Sequence, residues 1–201
     1  MDEEKKRSHE ARMQRKKAVV DAAIERAQEE RGIVIVITGN GKGKTTSAFG
    51  TLYRALGHGQ RVGLVQFIKG TYHTGEVLYL QQQGAAVDYH AMATGFTWNT
   101  QNWDADQQAA EAAWAQASRM LADPAFDLVV LDELTYMLKF NYLAPDRVLE
   151  AIRQRPARQS VIVTGRAASP GLIELADTVS EIRDVKHAFK AGVKAQNGID
   201  F

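Results

Sequence analysis

The run Thr38-Gly39-Asn40-Gly41-Lys42-Gly43-Lys44-Thr45-Thr46 brings together residue types suited to holding phosphate. Glycines let the backbone curl and turn successive N–H groups toward an anion. A helix starting at the end of the run would add the positive end of its dipole. Lys44 would reach phosphate oxygens, and the Thr45 hydroxyl would ligate Mg²⁺. The bland alternative is a glycine-rich turn that binds nothing. The buried-strand pattern before the run and the helical pattern after it favour the phosphate reading. The spacing is unusual, however. Anchored on Gly43-Lys44-Thr45, the place of the first glycine in the usual loop is held by Thr38, and from Gly39 only three residues intervene. A β-branched residue avoids positive φ. The loop therefore enters its turn differently, and how a triphosphate lies along it is open.

A second group of candidates follows Leu128-Val129-Val130-Leu131, an apolar strand that ends in Asp132-Glu133. In phosphate-loop proteins an acid at such a place holds Mg²⁺ directly or through water. The other reading is a strand end with two solvated carboxylates, and the upstream loop favours the metal role. Which of Asp132 and Glu133 stands closer to the ion is not decided by spacing. A third candidate is Ala93-Thr94-Gly95-Phe96-Thr97-Trp98-Asn99, with two large aromatics among small polar residues. It reads either as a loop folded back on itself or as an aromatic wall for a large planar or apolar ligand. The five histidines, His9, His58, His73, His90 and His187, form no HxH or HxxxH pair, so a histidine metal site is not expected. Trp103 and Trp114 are expected in the core. Lys186 and Lys190 are expected to be solvated. There is no cysteine, which excludes disulfides, thiolate metal sites and a cysteine nucleophile.

These residues need a scaffold, and the pattern predicts one. The chain has 201 residues, 45% hydrophobic and 24% charged, an ordinary composition for one globular domain. Lys plus Arg number 25 against 24 Asp plus Glu. That balance does not favour a nucleic-acid-binding role. The longest strongly apolar run, residues 33–37, is far too short to span a bilayer, and no signal-peptide core is apparent, so a cytoplasmic protein is expected. Residues 1–32 hold seventeen charged residues, nine basic and eight acidic, with Met13, Val20, Ile24 and Ala27 on a thin helical stripe. They read as an amphipathic helix ending near Gly32, either a solvated tail or a lid. Strands are expected at 33–37, 61–67, 86–92, 128–131, 160–164 and 178–183. Helices are expected at 44–56, 104–122, 145–155 and 170–176. Alternating strands and helices imply an α/β fold of the phosphate-loop NTPase kind, a mostly parallel sheet flanked by helices. The expected organisation is a charged helix over 1–32, an α/β domain over 33–183, and a tail over 184–201 lying across the body. On these grounds a kinase or ATPase, in which Glu133 would polarise water or an acceptor, and a nucleotide-gated binding module both stand as readings.

Taken in order, Gly39 to Thr46, Val65-Gln66-Phe67-Ile68-Lys69-Gly70, Met92 to Trp98, Leu131-Asp132-Glu133-Leu134-Thr135-Tyr136, and Val185-Lys186-His187-Ala188-Phe189 with Gly198-Ile199-Asp200 resemble the ATP:corrinoid adenosyltransferases of the CobA/BtuR type. The resemblance covers nearly the whole chain. It implies a homodimeric enzyme of adenosylcobalamin synthesis or salvage. Such an enzyme transfers the 5′-deoxyadenosyl group of ATP to the Co(I) of a corrinoid, releases triphosphate, uses Mg²⁺, and takes electrons from a reduced flavoprotein. It implies that Gly39, Asn40, Gly41, Lys42, Gly43, Lys44, Thr45 and Thr46 wrap the triphosphate, laid along the loop in the reverse of the usual sense. It also implies that Arg54 helps neutralise the triphosphate and that Phe96 and Trp98 pack at the lower face of the corrin.

Overall fold

The computed structural model describes residues 3–68, 74–82, 87–92 and 102–201. The chain divides into two compact units, Met1–Glu30 and Arg31–Phe201. The first holds helix α1, Glu3–Arg26, which buries none of its own residues. Its apolar stripe is thin, as expected, but the helix stops before Gly32. That glycine serves a different purpose. A Cβ there would lie 2.1 Å from the Gln159 carbonyl oxygen, and its N–H donates to the Ala157 carbonyl at 2.8 Å. Gly32 lets the chain enter the second unit against another backbone.

The second unit is built on a sheet of strands β1 (Val34–Thr38), β2 (Val62–Gln66), β3 (Val87–Ala91), β4 (Leu128–Asp132), β5 (Ser160–Thr164) and β6 (Thr178–Glu181), in the order β3-β2-β4-β5-β1-β6. Every pairing is parallel. The central strands are β-branched and apolar because both faces are covered. Their side chains alternate between two cores. Val129 and Leu131 of β4 point to one, Leu128 and Val130 to the other. Helix α2 (Lys44–Gly57) covers one face with Phe49 and Leu52, joined by α3 (Gly75–Gln82) with Val77 and Leu80. The other face is covered by α4 (Trp103–Ala122), α5 (Leu134–Lys139), α6 (Pro145–Arg153) and α7 (Pro170–Leu175). Gly63 of β2 admits α4 closely, since a Cβ there would stand 2.7 Å from the Met120 sulfur.

Two short helices, α3 and α5, go beyond the elements expected from periodicity. They are too short to show a stripe and are held by burial of Val77 and Leu80, and of Leu134, Met137 and Leu138. Trp114 is fully buried, as expected, but Trp103 is half-exposed at the first turn of α4, against Tyr142. Its helix has not yet turned its apolar face inward at that point.

Candidate functional site

Parallel strands end together, so the carboxyl ends of β1, β4 and β5 and the loops after them share one rim of the sheet. A cavity of about 1200 Å³ opens there. Residues 40–46, Asp132 and Glu133 all line it, which brings the two motifs into one site.

The loop resolves its unusual spacing in a simple way. Thr38 remains in β1, paired with Glu181 of β6, and the positive φ falls on Gly39, at 99°. Gly43, φ 115°, precedes α2, which has no side-chain cap. The first turn of an α-helix leaves its amides without intrahelical acceptors, and Lys44, Thr45 and Thr46 of that turn line the cavity at the positive end of the helix dipole. One amide departs from the expected cradle: Gly41 N–H donates to the Ile182 carbonyl at 2.8 Å. Gly39 and Gly41 lie so close to the chain leaving β6 that Cβ atoms there would stand 2.4 Å from the Ile182 oxygen and 2.6 Å from the Arg183 oxygen. These two glycines thus serve packing against residues 182–183. The Lys44 ammonium is buried and curls back to donate to the Gly41 carbonyl at 2.8 Å. Burial lowers its pKa, while the Glu133 carboxylate opposes the shift.

The two acids take different parts. Asp132 is fully enclosed and surrounded by donors. Its Oδ1 accepts from the hydroxyls of Thr45 at 3.0 Å and Thr164 at 2.6 Å, and its Oδ2 from the Gln66 amide at 3.0 Å. Gln66 stands opposite Asp132 in the β2–β4 register and is itself fixed by the Tyr89 hydroxyl at 2.9 Å. Burial raises the Asp132 pKa and the three donors oppose it. Glu133 is the reverse case. It sits at φ 59°, a left-handed conformation rare for a side-chain-bearing residue. Its N–H is held by the Thr164 hydroxyl at 2.9 Å, and its Oε2 is buried with no hydrogen-bond partner among the described residues. Burial, and then the Asp132 charge, raise its pKa to about 7.

Arg54 lies apart from this group. It is exposed in the last turn of α2, ten residues and about 15 Å along the helix from Lys44, and does not line the cavity. Phe96 and Trp98 lie outside the described residues. Arg166, which no motif singled out, does line the cavity. It follows Gly165, φ 137°, and precedes Ala167, φ 56°, so an irregular loop after β5 presents it. Residues of the tail also line the cavity, among them His187, Phe189, Lys190 and Asp200. Residues 185–189 and 198–200 carry part of the family resemblance, but without periodicity the tail's own pattern does not show that it reaches this cavity.

The arrangement is a parallel α/β domain whose glycine-rich loop, lysine and acidic strand end line one wide cavity, with a buried carboxylate oxygen that has no partner among the described residues. Residues 30–201 match the family model ATP:corrinoid adenosyltransferase BtuR/CobO/CobP, and the chain belongs to that family. It is 58% identical to the corrinoid adenosyltransferase CobA of Salmonella typhimurium, over 96% of this chain and 97% of that one. It is 58% identical to the corrinoid adenosyltransferase of Pseudomonas aeruginosa, over 98% of each chain. The Escherichia coli corrinoid adenosyltransferase is 57% identical over 96% of this chain and 97% of its own. The chain is accordingly a corrinoid adenosyltransferase, and the expectation of a transferase holds over that of a kinase, ATPase or binding module.

Proposed function

We propose that this cavity binds ATP as its magnesium complex, and that Co(I) of a corrinoid attacks ribose C5′ there while triphosphate leaves. The observation that carries the reading is the buried Oε2 of Glu133, without a hydrogen-bond partner among the described residues, in the cavity that Lys44, Thr45 and the N-terminus of α2 also line. In chemical terms the Co–C bond forms with the cobalt electron pair as the C5′–O bond breaks. No general base is required. The protein's tasks are to hold C5′ in line with cobalt and to stabilise the negative charge of the leaving triphosphate. Lys44 and the first-turn amides of α2 serve the second task, with Arg166 lining the same cavity.

The residues fit Mg²⁺. Among the described residues no cluster of three acidic or histidine side chains is present. Mg²⁺ does not require one, since it takes one or two protein oxygens and completes its shell with phosphate and water. Thr45 Oγ1 and Glu133 Oε2 would hold it, while Asp132, its oxygens already engaged, orients Thr45 from behind. Bound there, Mg²⁺ would neutralise phosphate charge as a Lewis acid. The family resemblance supports the finer parts of the proposal. These are a homodimer, a cytoplasmic location, a reduced flavoprotein that supplies the electron taking Co(II) to Co(I), and an aromatic wall of Phe96 and Trp98 that keeps the lower axial position of cobalt empty.

The test mixes chemically reduced cobalamin, ATP and Mg²⁺ with the protein and follows the corrinoid absorbance together with the nucleotide products. Adenosylcobalamin and triphosphate in equal amounts are expected, with loss of both on chelation of Mg²⁺. ADP or orthophosphate as the product would overturn the reading.

A further inference from the structure

The end of the chain is tied to the phosphate loop through one side chain. Asp200 uses both oxygens of its carboxylate. Oδ2 accepts the Gln196 N–H at 3.0 Å, and Oδ1 pairs with the Lys42 ammonium at 3.0 Å. The Asp200 amide returns a hydrogen bond to the Gln196 carbonyl at 2.8 Å, and Gly198 N–H, in a left-handed residue, donates to the Phe201 carbonyl at 2.7 Å. Residues 196–201 thus form a closed turn organised around Asp200. That turn forms part of the cavity wall: Gly198, Ile199, Asp200 and Phe201 all line it. The same carboxylate therefore folds the wall and fastens it to the loop opposite.

We propose that Asp200 is a positioning residue of the nucleotide site, acting through Lys42. The ion pair holds the Lys42 ammonium at the cavity rim and fixes the tail as the wall that encloses the nucleotide. Lysine is long and flexible, and ordering it before the ligand arrives removes part of the entropy lost on binding. An ammonium carries three N–H donors, so Lys42 can keep Asp200 and still offer donors to phosphate. The Lys42 and Asp200 side chains are 42% and 26% exposed, so the pair alone has only a modest effect. The closed turn it anchors adds to that effect. This inference rests on the cavity being the MgATP site, and its test separates the two.

The intact chain is compared with Asp200→Asn, Asp200→Ala and Asp200→Glu. Three quantities are read: MgATP affinity by calorimetry, KM and kcat with pre-reduced cobalamin, and the rate of trypsin cleavage at Lys186, Lys190 and Lys194 measured peptide by peptide. Asp200→Asn, which keeps an acceptor for Gln196 but removes the charge, is expected to weaken MgATP about fivefold. Asp200→Ala, which also loses the turn, is expected to weaken it about tenfold or more. In both, tail cleavage should quicken at an unchanged melting temperature, the loss should fall in KM rather than kcat, and Asp200→Glu should recover part of it. Unchanged cleavage and affinity would overturn the proposal. Faster cleavage with tighter MgATP binding would also overturn it, since Asp200 would then be a competitor for Lys42. If the unaltered protein binds no MgATP, the nucleotide reading fails, and the cleavage rates still report whether the pair fastens the tail.

Discussion

At the scale of single residues, the site separates charges that sequence places side by side. Asp132 and Glu133 are neighbours in the chain, yet one is saturated by Thr45, Thr164 and Gln66 while the other keeps a buried oxygen with no partner among the described residues. Lys44 rests on the Gly41 carbonyl, a contact that phosphate would replace. Lys44→Ala should lower turnover at least about a hundredfold, roughly 3 kcal/mol in the barrier. Near-normal single-turnover rates at saturating ATP would remove Lys44 from that role. Among the arginines, the position of Arg166 on the cavity and of Arg54 at the far end of α2 makes a comparison decisive. Arg166→Ala should reduce kcat/KM by about tenfold to a hundredfold, or roughly 1.4 to 2.7 kcal/mol, and Arg54→Ala by clearly less. Equal losses would give Arg54 a place at the triphosphate.

At the scale of elements, three strand ends and the turns after them fix the geometry. Thr164, the last residue of β5, donates to Asp132 and accepts from the Glu133 amide, so the strand standing between β1 and β4 orients both acids. The next residue, Gly165, has φ 137°, and a Cβ there would sit 2.0 Å from the Thr135 hydroxyl, which is itself engaged with the Arg166 carbonyl at 2.7 Å. Gly165→Ala should therefore both strain the turn and displace the segment that carries Arg166. We expect a stability loss of about 2 kcal/mol or more, and at about 2–4 °C per kcal/mol a visibly lower melting temperature. Weaker triphosphate binding should accompany it. A variant with unchanged melting temperature and affinity would show that the turn adapts.

At the scale of the whole molecule, the second unit is closed at its entry by Asp177. The carboxylate accepts from Arg31 at 2.6 Å and from the Val34 amide at 2.8 Å, and these bonds hold its pKa down at about 2. A depressed carboxylate contributes stability above its unfolded pKa, near 4, and loses it as pH falls through the folded value. Urea unfolding should show wild type ahead of Asp177→Asn by about 1 kcal/mol at pH 6, because solvent screens this exposed pair. The difference should shrink between pH 4 and pH 2, and a constant gap across that range would assign it to packing. Deleting residues 1–30 should leave a folded, ATP-binding body, because the chain divides after Glu30 and α1 buries none of its residues. A melting temperature tens of degrees lower would place the helix in the core.

Much of this was determined by sequence alone. Continuous apolar runs such as residues 128–131 specify strands buried on both faces, and Gly43-Lys44-Thr45 specifies a tight loop between a strand and a helix, because both signals are local. The parallel α/β class and the pairing of loop with acidic strand end follow from them. Only the tertiary structure decided the rest. Thr38 could stay in β1 because Gly39 takes the positive φ and residues 182–183 pack against the loop. Arg166 and Asp200 reach the cavity through an irregular turn and an aperiodic tail, and although residues 198–200 carry part of the family resemblance, neither segment has a periodicity that would place it there. The distinct parts of Asp132 and Glu133 depend on Thr45, Thr164 and Gln66, which arrive from three other elements. Long-range partners of this kind are set by strand order and register, and no spacing along the chain encodes which of two adjacent carboxylates they will surround.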